Sequence, residues 1–224
     1  MSNYEVWLGE ERKWIKGYQR KVKRKLLIIF PIVMVLVGLL SAFIACGEGE
    51  NITNVVIARL VITTIFYLFF FLIANFTLRP KKYIRKIKRS LDILGMDERE
   101  KEEFAREMLE GTSQQIEFTY NGHGASNVQA RIRITPHYVY LQGGFPYANI
   151  VRLSDIKVLK KKEKRQVHKT YGAKIKTYEY YESYVIDFYK NEVEELADYE
   201  MEFYEEELRD RVFDIIKQQE SSES

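Results

Sequence analysis

The hydrophobic pattern changes period along the chain. Residues 26–45 read LLIIFPIVMVLVGLLSAFIA, twenty positions without a charge, and at about 1.5 Å per helical residue such a run crosses the roughly 30 Å hydrocarbon core of a bilayer. Residues 55–78 read VVIARLVITTIFYLFFFLIANFTL, again long enough to cross, with Arg59 as the only charge. Pro31 falls in the first turns of the first run, where proline costs least. Arg59 lies about 6 Å from the start of the second run by helical rise, so its side chain can snorkel to the headgroups, a simpler role than pore or ligand contact. The pattern predicts a transmembrane helical hairpin with the short loop 46–54.

Beyond it, residues 79–94 keep helical spacing through Ile84, Ile87, Leu91 and Leu94. Gly95 interrupts them, and Asp97 can cap a second helix through Glu110 with acids in its first turn. From Gln114 the period becomes two. Ile116, Phe118 and Tyr120 alternate with polar residues, as do Ile132 and Ile134, and Tyr184, Ile186 and Phe188, with Tyr138 to Leu141 between them, which reads as strands. Asn121-Gly122, Thr135-Pro136, Gly143-Gly144 and Tyr171-Gly172 mark turns. A final helix is expected over 199–219, with Phe203, Tyr204, Leu208, Val212, Ile215 and Ile216 as its apolar stripe. The predicted fold class is α+β, a transmembrane hairpin plus a small antiparallel, barrel-like domain capped by a C-terminal helix.

Charge orients these elements. Residues 1–25 hold eight bases and residues 79–89 seven, whereas the loop 46–54 holds Glu48 and Glu50 and no Lys or Arg. By the positive-inside rule both termini face the cytoplasm of a multi-pass cell-membrane protein. A signal peptide ending near Cys46 is the rival reading, but the apolar run is too long and a second one follows. Tyr4, Trp7, Trp14 and Tyr18 share helical spacing with Arg12, Lys13, Lys16 and Arg20. That fits an amphipathic helix on an anionic leaflet or one packed on the protein's own domain. Residues 90–110 carry eight acids against three bases and read as a spacer held off an anionic membrane. The expected organisation is a basic N-terminal helix (1–25), spans at 26–45 and 55–78 joined by 46–54, a helical connector (79–111), a β-domain with its helix (112–219) and a tail (220–224).

Composition alone hides this sorting. The chain of 224 residues has 46% hydrophobic and 30% charged residues and a net charge of +3, but its apolar residues and charges are segregated, which excludes an ordinary soluble domain. The single cysteine, Cys46, excludes an internal disulfide framework, and His123, His137 and His168 are too far apart in sequence for a compact metal motif. No P-loop, nucleophile elbow or HExxH sequence occurs, and His123 reads as a turn residue. The chain is therefore expected to be no enzyme and to need no cofactor or metal.

The segment ITPHYVYL (134–141), then NIVRLSDIKVLKK (149–161) with Ile150, Leu153, Asp155 and Ile156, further strands and a closing helix resembles the bacterial pleckstrin-homology-like (PH-like) domains. Two spans followed by such a domain are similar to uncharacterised membrane proteins of Gram-positive bacteria. The resemblance implies a β-barrel module without enzymatic activity and brings no catalytic residues.

The remaining functional feature is charge. Residues 157–176 hold nine bases and one acid, Glu163, while residues 179–210 hold thirteen acids against Lys190 and Arg209. Lys160, Lys161, Lys162, Lys164 and Arg165 are the candidate contacts for anionic lipid headgroups or a protein partner, worth about 1 kcal/mol per base near an anionic surface. The bland alternative is a solvated hairpin neutralised by the acidic region of the same fold. Nucleic acid is not expected as a partner, since no recognition helix or stacking motif accompanies the bases. The clustered Tyr178, Tyr180, Tyr181, Tyr184 and Tyr189 read mainly as core and rim packing. The second functional reading is a structural or accessory subunit that self-associates or assembles with a transporter.

Overall fold

A computed structural model describes residues 2–48, 51–110, 113–120, 128–143, 147–171, 176–192 and 196–222. His123 and the turn at Asn121-Gly122 lie outside them, as do Gly144 and Gly172 of two other expected turns. The chain divides into two compact units, Glu10–Ile84 and Met1–Gly9 with Arg85–Ser224.

The first unit is built from helices α1 (Asn3–Glu48) and α2 (Ile52–Thr77) and the start of α3 (Pro80–Ile93). The basic N-terminal helix and the first apolar run are one continuous helix, so Pro31 lies in its interior rather than near its start. Partners of α1 from α2 and the start of α3 run in opposite order to it. Tyr83 Oη donates to Glu11 Oε2 (3.3 Å), Gln19 Nε2 to Asn75 Oδ1 (3.2 Å), Phe30 meets Tyr67 with centroids 4.1 Å apart, and Thr64 Oγ1 donates to Met34 Sδ (3.8 Å). Asn51 caps α2 by accepting from the Asn54 N–H. Both helices are long and apolar enough to cross a membrane, and only 6% and 0% of their most apolar stretches are buried.

The second unit contains two antiparallel sheets. Strands β1 (Gln114–Tyr120), β2 (Val128–Ile134), β3 (Tyr138–Gly143) and β4 (Tyr147–Arg152) form a meander. After a single 3-10 turn (Leu153–Asp155), β5 (Val158–Tyr171), β6 (Lys176–Tyr189) and β7 (Tyr199–Phe203) form the other sheet, and α5 (Glu206–Ser222) follows. The Thr135 turn is closed by its backbone N–H donating to the Tyr138 carbonyl and by the Tyr138 N–H donating to Thr135 Oγ1.

Register explains which residues enter the core. Ile116, Ile132 and Leu141 align across β1 to β3, and Ile134, Val139 and Val151 across β2 to β4. They bury with Leu153, Ile156 and Leu159, with Ile186, Phe188, Met201 and Phe203 of the second sheet, and with Val212 and Ile216 of α5. The expected helix over 199–219 is corrected at its start, where residues 199–203 are a strand paired with β6. YEMEF alternates, sending Met201 and Phe203 into the core, and burial on a sheet outweighs helix spacing there.

The other face of the first sheet is covered as well, which is why every residue of β3 is buried. Helix α4 (Glu98–Leu109) sets Phe104 edge-on to Tyr138 (5.0 Å) and Trp7 (5.0 Å), and Trp7 also meets Tyr140 (5.7 Å). Arg133 donates to the Met108 carbonyl and to Gln115, and Arg131 to Gln142. Ser90 of α3 donates to the Ala148 carbonyl. Glu102 of α4 accepts from the N–H groups of Asn3 (2.9 Å) and Tyr4, placing a carboxylate at the positive end of α1. The acidic stretch expected as a spacer is thus packed on the sheet, because Phe104, Ala105 and Met108 give α4 an apolar face. Gly95 has φ +67°, a left-handed conformation that glycine adopts at no steric cost, and Asp97 and Glu100 form a capping box that starts α4. Trp7 is fully buried against this unit, so the start of α1 packs on the protein's own domain.

Candidate functional site

Strand alternation decides what the basic segment can present. Lys160, Lys162 and Lys164 fall on one side of β5, and Lys161 and Arg165 on the other, the side from which Leu159 enters the core. The five candidate residues are therefore not one patch.

Lys161, Lys162 and Lys164 meet acids of the same unit. Lys161 Nζ lies 3.1 Å from Asp210 Oδ1 and 4.8 Å from the centre of the Phe213 ring, tying β5 to α5. Lys162 Nζ is 3.9 Å from Oδ2 of the buried Asp187, and Lys164 Nζ is 2.5 Å from Glu200 Oε2 on β7. Lys160 Nζ sits 4.8 Å from the centre of the Tyr189 ring, a cation–π arrangement. Arg165 is exposed. The hydrogen bond with Glu200 raises the Lys164 pKa. The hydrogen bond from Arg209, reinforced by Lys161, lowers that of Asp210. Burial raises the Tyr189 pKa, with Asp187 adding to it.

β5 is also an edge strand, hydrogen-bonded to β6 alone among the described strands. Lysines on an exposed edge deter pairing with another chain, so part of the basic run answers a structural need. The acids that answer it, Asp187, Glu200 and Asp210, went unassigned in the sequence. Their opposite block charge was a signal, but pairing depends on which strand faces which.

The bases beside the apolar helices are placed differently. On α3, Ile84, Ile87 and Leu91 are buried while Arg85, Lys86, Lys88 and Arg89 are exposed. Among the described residues these four have no carboxylate within salt-bridge distance. Arg79 and Lys82 lie over the Phe76 ring at 4.7 and 3.5 Å. Among the described residues no three His, Cys, Asp or Glu side chains gather to hold a metal. Comparison with protein-family models, with curated proteins and with solved structures finds no match to this chain.

Proposed function

We propose that this chain is a non-enzymatic, two-span membrane protein whose PH-like cytoplasmic domain recognises the anionic inner-membrane surface. The observation that carries the reading is the contrast in exposure: two helices leave their apolar surface almost wholly unburied, and the collar Arg85, Lys86, Lys88 and Arg89, which follows them in sequence, is exposed with no acidic partner among the described residues. Loop 46–54 lacks bases, so the collars lie on the cytoplasmic side. A four-stranded meander, a three-stranded sheet and a closing helix around one core support the PH-like reading. Lys160 to Lys162, Lys164 and Arg165 are secondary contacts, since Lys161, Lys162 and Lys164 already meet acids of the same unit.

The test is amine labelling of the full-length protein in nanodiscs of neutral or anionic lipid, at low and high salt. Slower labelling of Lys86 and Lys88 in anionic discs, relieved by salt, is the expected result. Equal labelling in both discs removes surface recognition and turns the domain toward protein partners. An oligomer retained in mild detergent favours the second reading, a structural or accessory subunit.

A further inference from the structure

The face of the first sheet covered by α4 holds a polar cavity of ≈ 160 Å³. Glu100, Glu103 and Glu107 line it from α4, His137 from the turn before β3, Tyr138 from the start of β3, and Arg152 from the end of β4. Glu107 is only 7% exposed. Its Oε1 lies 2.5 Å from His137 Nδ1, while its buried Oε2 has no hydrogen-bond partner among the described residues. Arg152, the nearby cation, is divided between Glu100 (3.3 Å), Asp155 (3.8 Å) and the Leu94 carbonyl (3.4 Å), and its buried Nε has no hydrogen-bond partner among the described residues. Arg106 pairs with Glu103 at 3.6 Å, where both side chains are about half exposed.

A buried carboxylate oxygen without a donor is costly, and the cost falls when a cation sits close by in a low dielectric. The three cavity glutamates outnumber the two arginines that meet them, Arg152 and Arg106, so the field favours a positive guest. No metal set converges here among the described residues, which leaves an organic cation. An ammonium group is compact, carries three donors and fits a cavity of this size.

We infer that this cavity is a binding site for a primary alkylammonium group, held by Glu107 and Glu103, whether on a small free amine or on a lysine side chain of a partner. The site is separate from the basic collar, so its failure leaves the membrane-surface reading standing.

The experiment is calorimetric titration of the full-length protein in detergent with putrescine, with Nα-acetyl-lysinamide, and with choline as a cation lacking N–H donors. Putrescine is expected to bind, with choline at least about tenfold weaker, and Glu107→Gln to weaken putrescine at least about tenfold. Glu107→Gln keeps an oxygen for His137. The exposed Glu103→Gln, which disturbs no core contact, is expected to weaken binding severalfold and serves if the first variant fails to fold. Binding of lysinamide as well assigns a lysine side chain as a source, and its absence assigns a free amine. No binding of either amine at about 10 mM, choline binding equally well, or binding unchanged in both variants overturns the site.

Discussion

Two stretches of this chain have nearly the same basic content and different situations. Residues 79–89 carry seven bases and no acid, and residues 157–165 carry six bases and Glu163. The first lies mostly on a helix, where the buried face of Ile84 and Ile87 leaves Arg85, Lys86, Lys88 and Arg89 gathered on the exposed side. The second lies on a strand, whose period of two divides the same kind of side chain between opposite faces, each with acids in reach. A run of lysines makes a one-sided field only where the backbone period gathers it.

The largest effect is expected from the collar. Replacing Arg85, Lys86, Lys88 and Arg89 by Gln should remove about 1 kcal/mol of surface attraction per base. The difference in Lys81 and Lys82 labelling between anionic and neutral nanodiscs should then collapse. Next comes the packing that positions it. Leu91 is fully buried, and Leu91→Ala should destabilise the second unit by about 3 kcal/mol, measured by chemical denaturation followed by near-UV circular dichroism.

A smaller effect is expected on the strand. Lys162→Ala leaves the buried Asp187 short of a countercharge and should cost about 1 kcal/mol of stability. Replacing Lys160, Lys161 and Lys162 together by Ala should change the anionic-lipid labelling difference less than about twofold, and a collapse as large as the collar's would erase the contrast. The smallest effect concerns acid. The folded pKa of Asp210 lies below its ordinary 3.8, so its link to Arg209 and Lys161 contributes above the unfolded value and is lost as pH falls through the folded one. Asp210→Asn should therefore flatten the fall in melting temperature below about pH 4, read by a thermal scan from pH 5 to 2.

Much of the frame was legible in local pattern. The two apolar runs, the break at Gly95, the Asp97 cap and the strands through Ile132 and Ile186 each follow from a short stretch of sequence. Residues 199–203 are not legible as a strand because YEMEF has too few positions to separate a strand from the helix that follows, and its pairing with Tyr184 to Phe188 is a tertiary fact. The packing of α4 was hidden for a related reason. Its acids are on the surface of the helix, and the three residues that dock it, Phe104, Ala105 and Met108, have no partner within their own segment. Of the candidate site, the bases were visible but their counterions were not, since Lys164 meets Glu200 across 36 positions. The cluster of Glu107, His137 and Arg152 combines three elements and leaves no contiguous motif.

The docking of the N-terminus carries a consequence for the order of folding. Asn3 waits for Glu102, 99 positions later, and Trp7 for Phe104 and Tyr140. During synthesis Trp7 of α1 emerges with nothing to bury its indole, and both apolar helices are made before its receptor exists. Asn3 and Trp7 therefore reach their place only after α4 and β3 have been made.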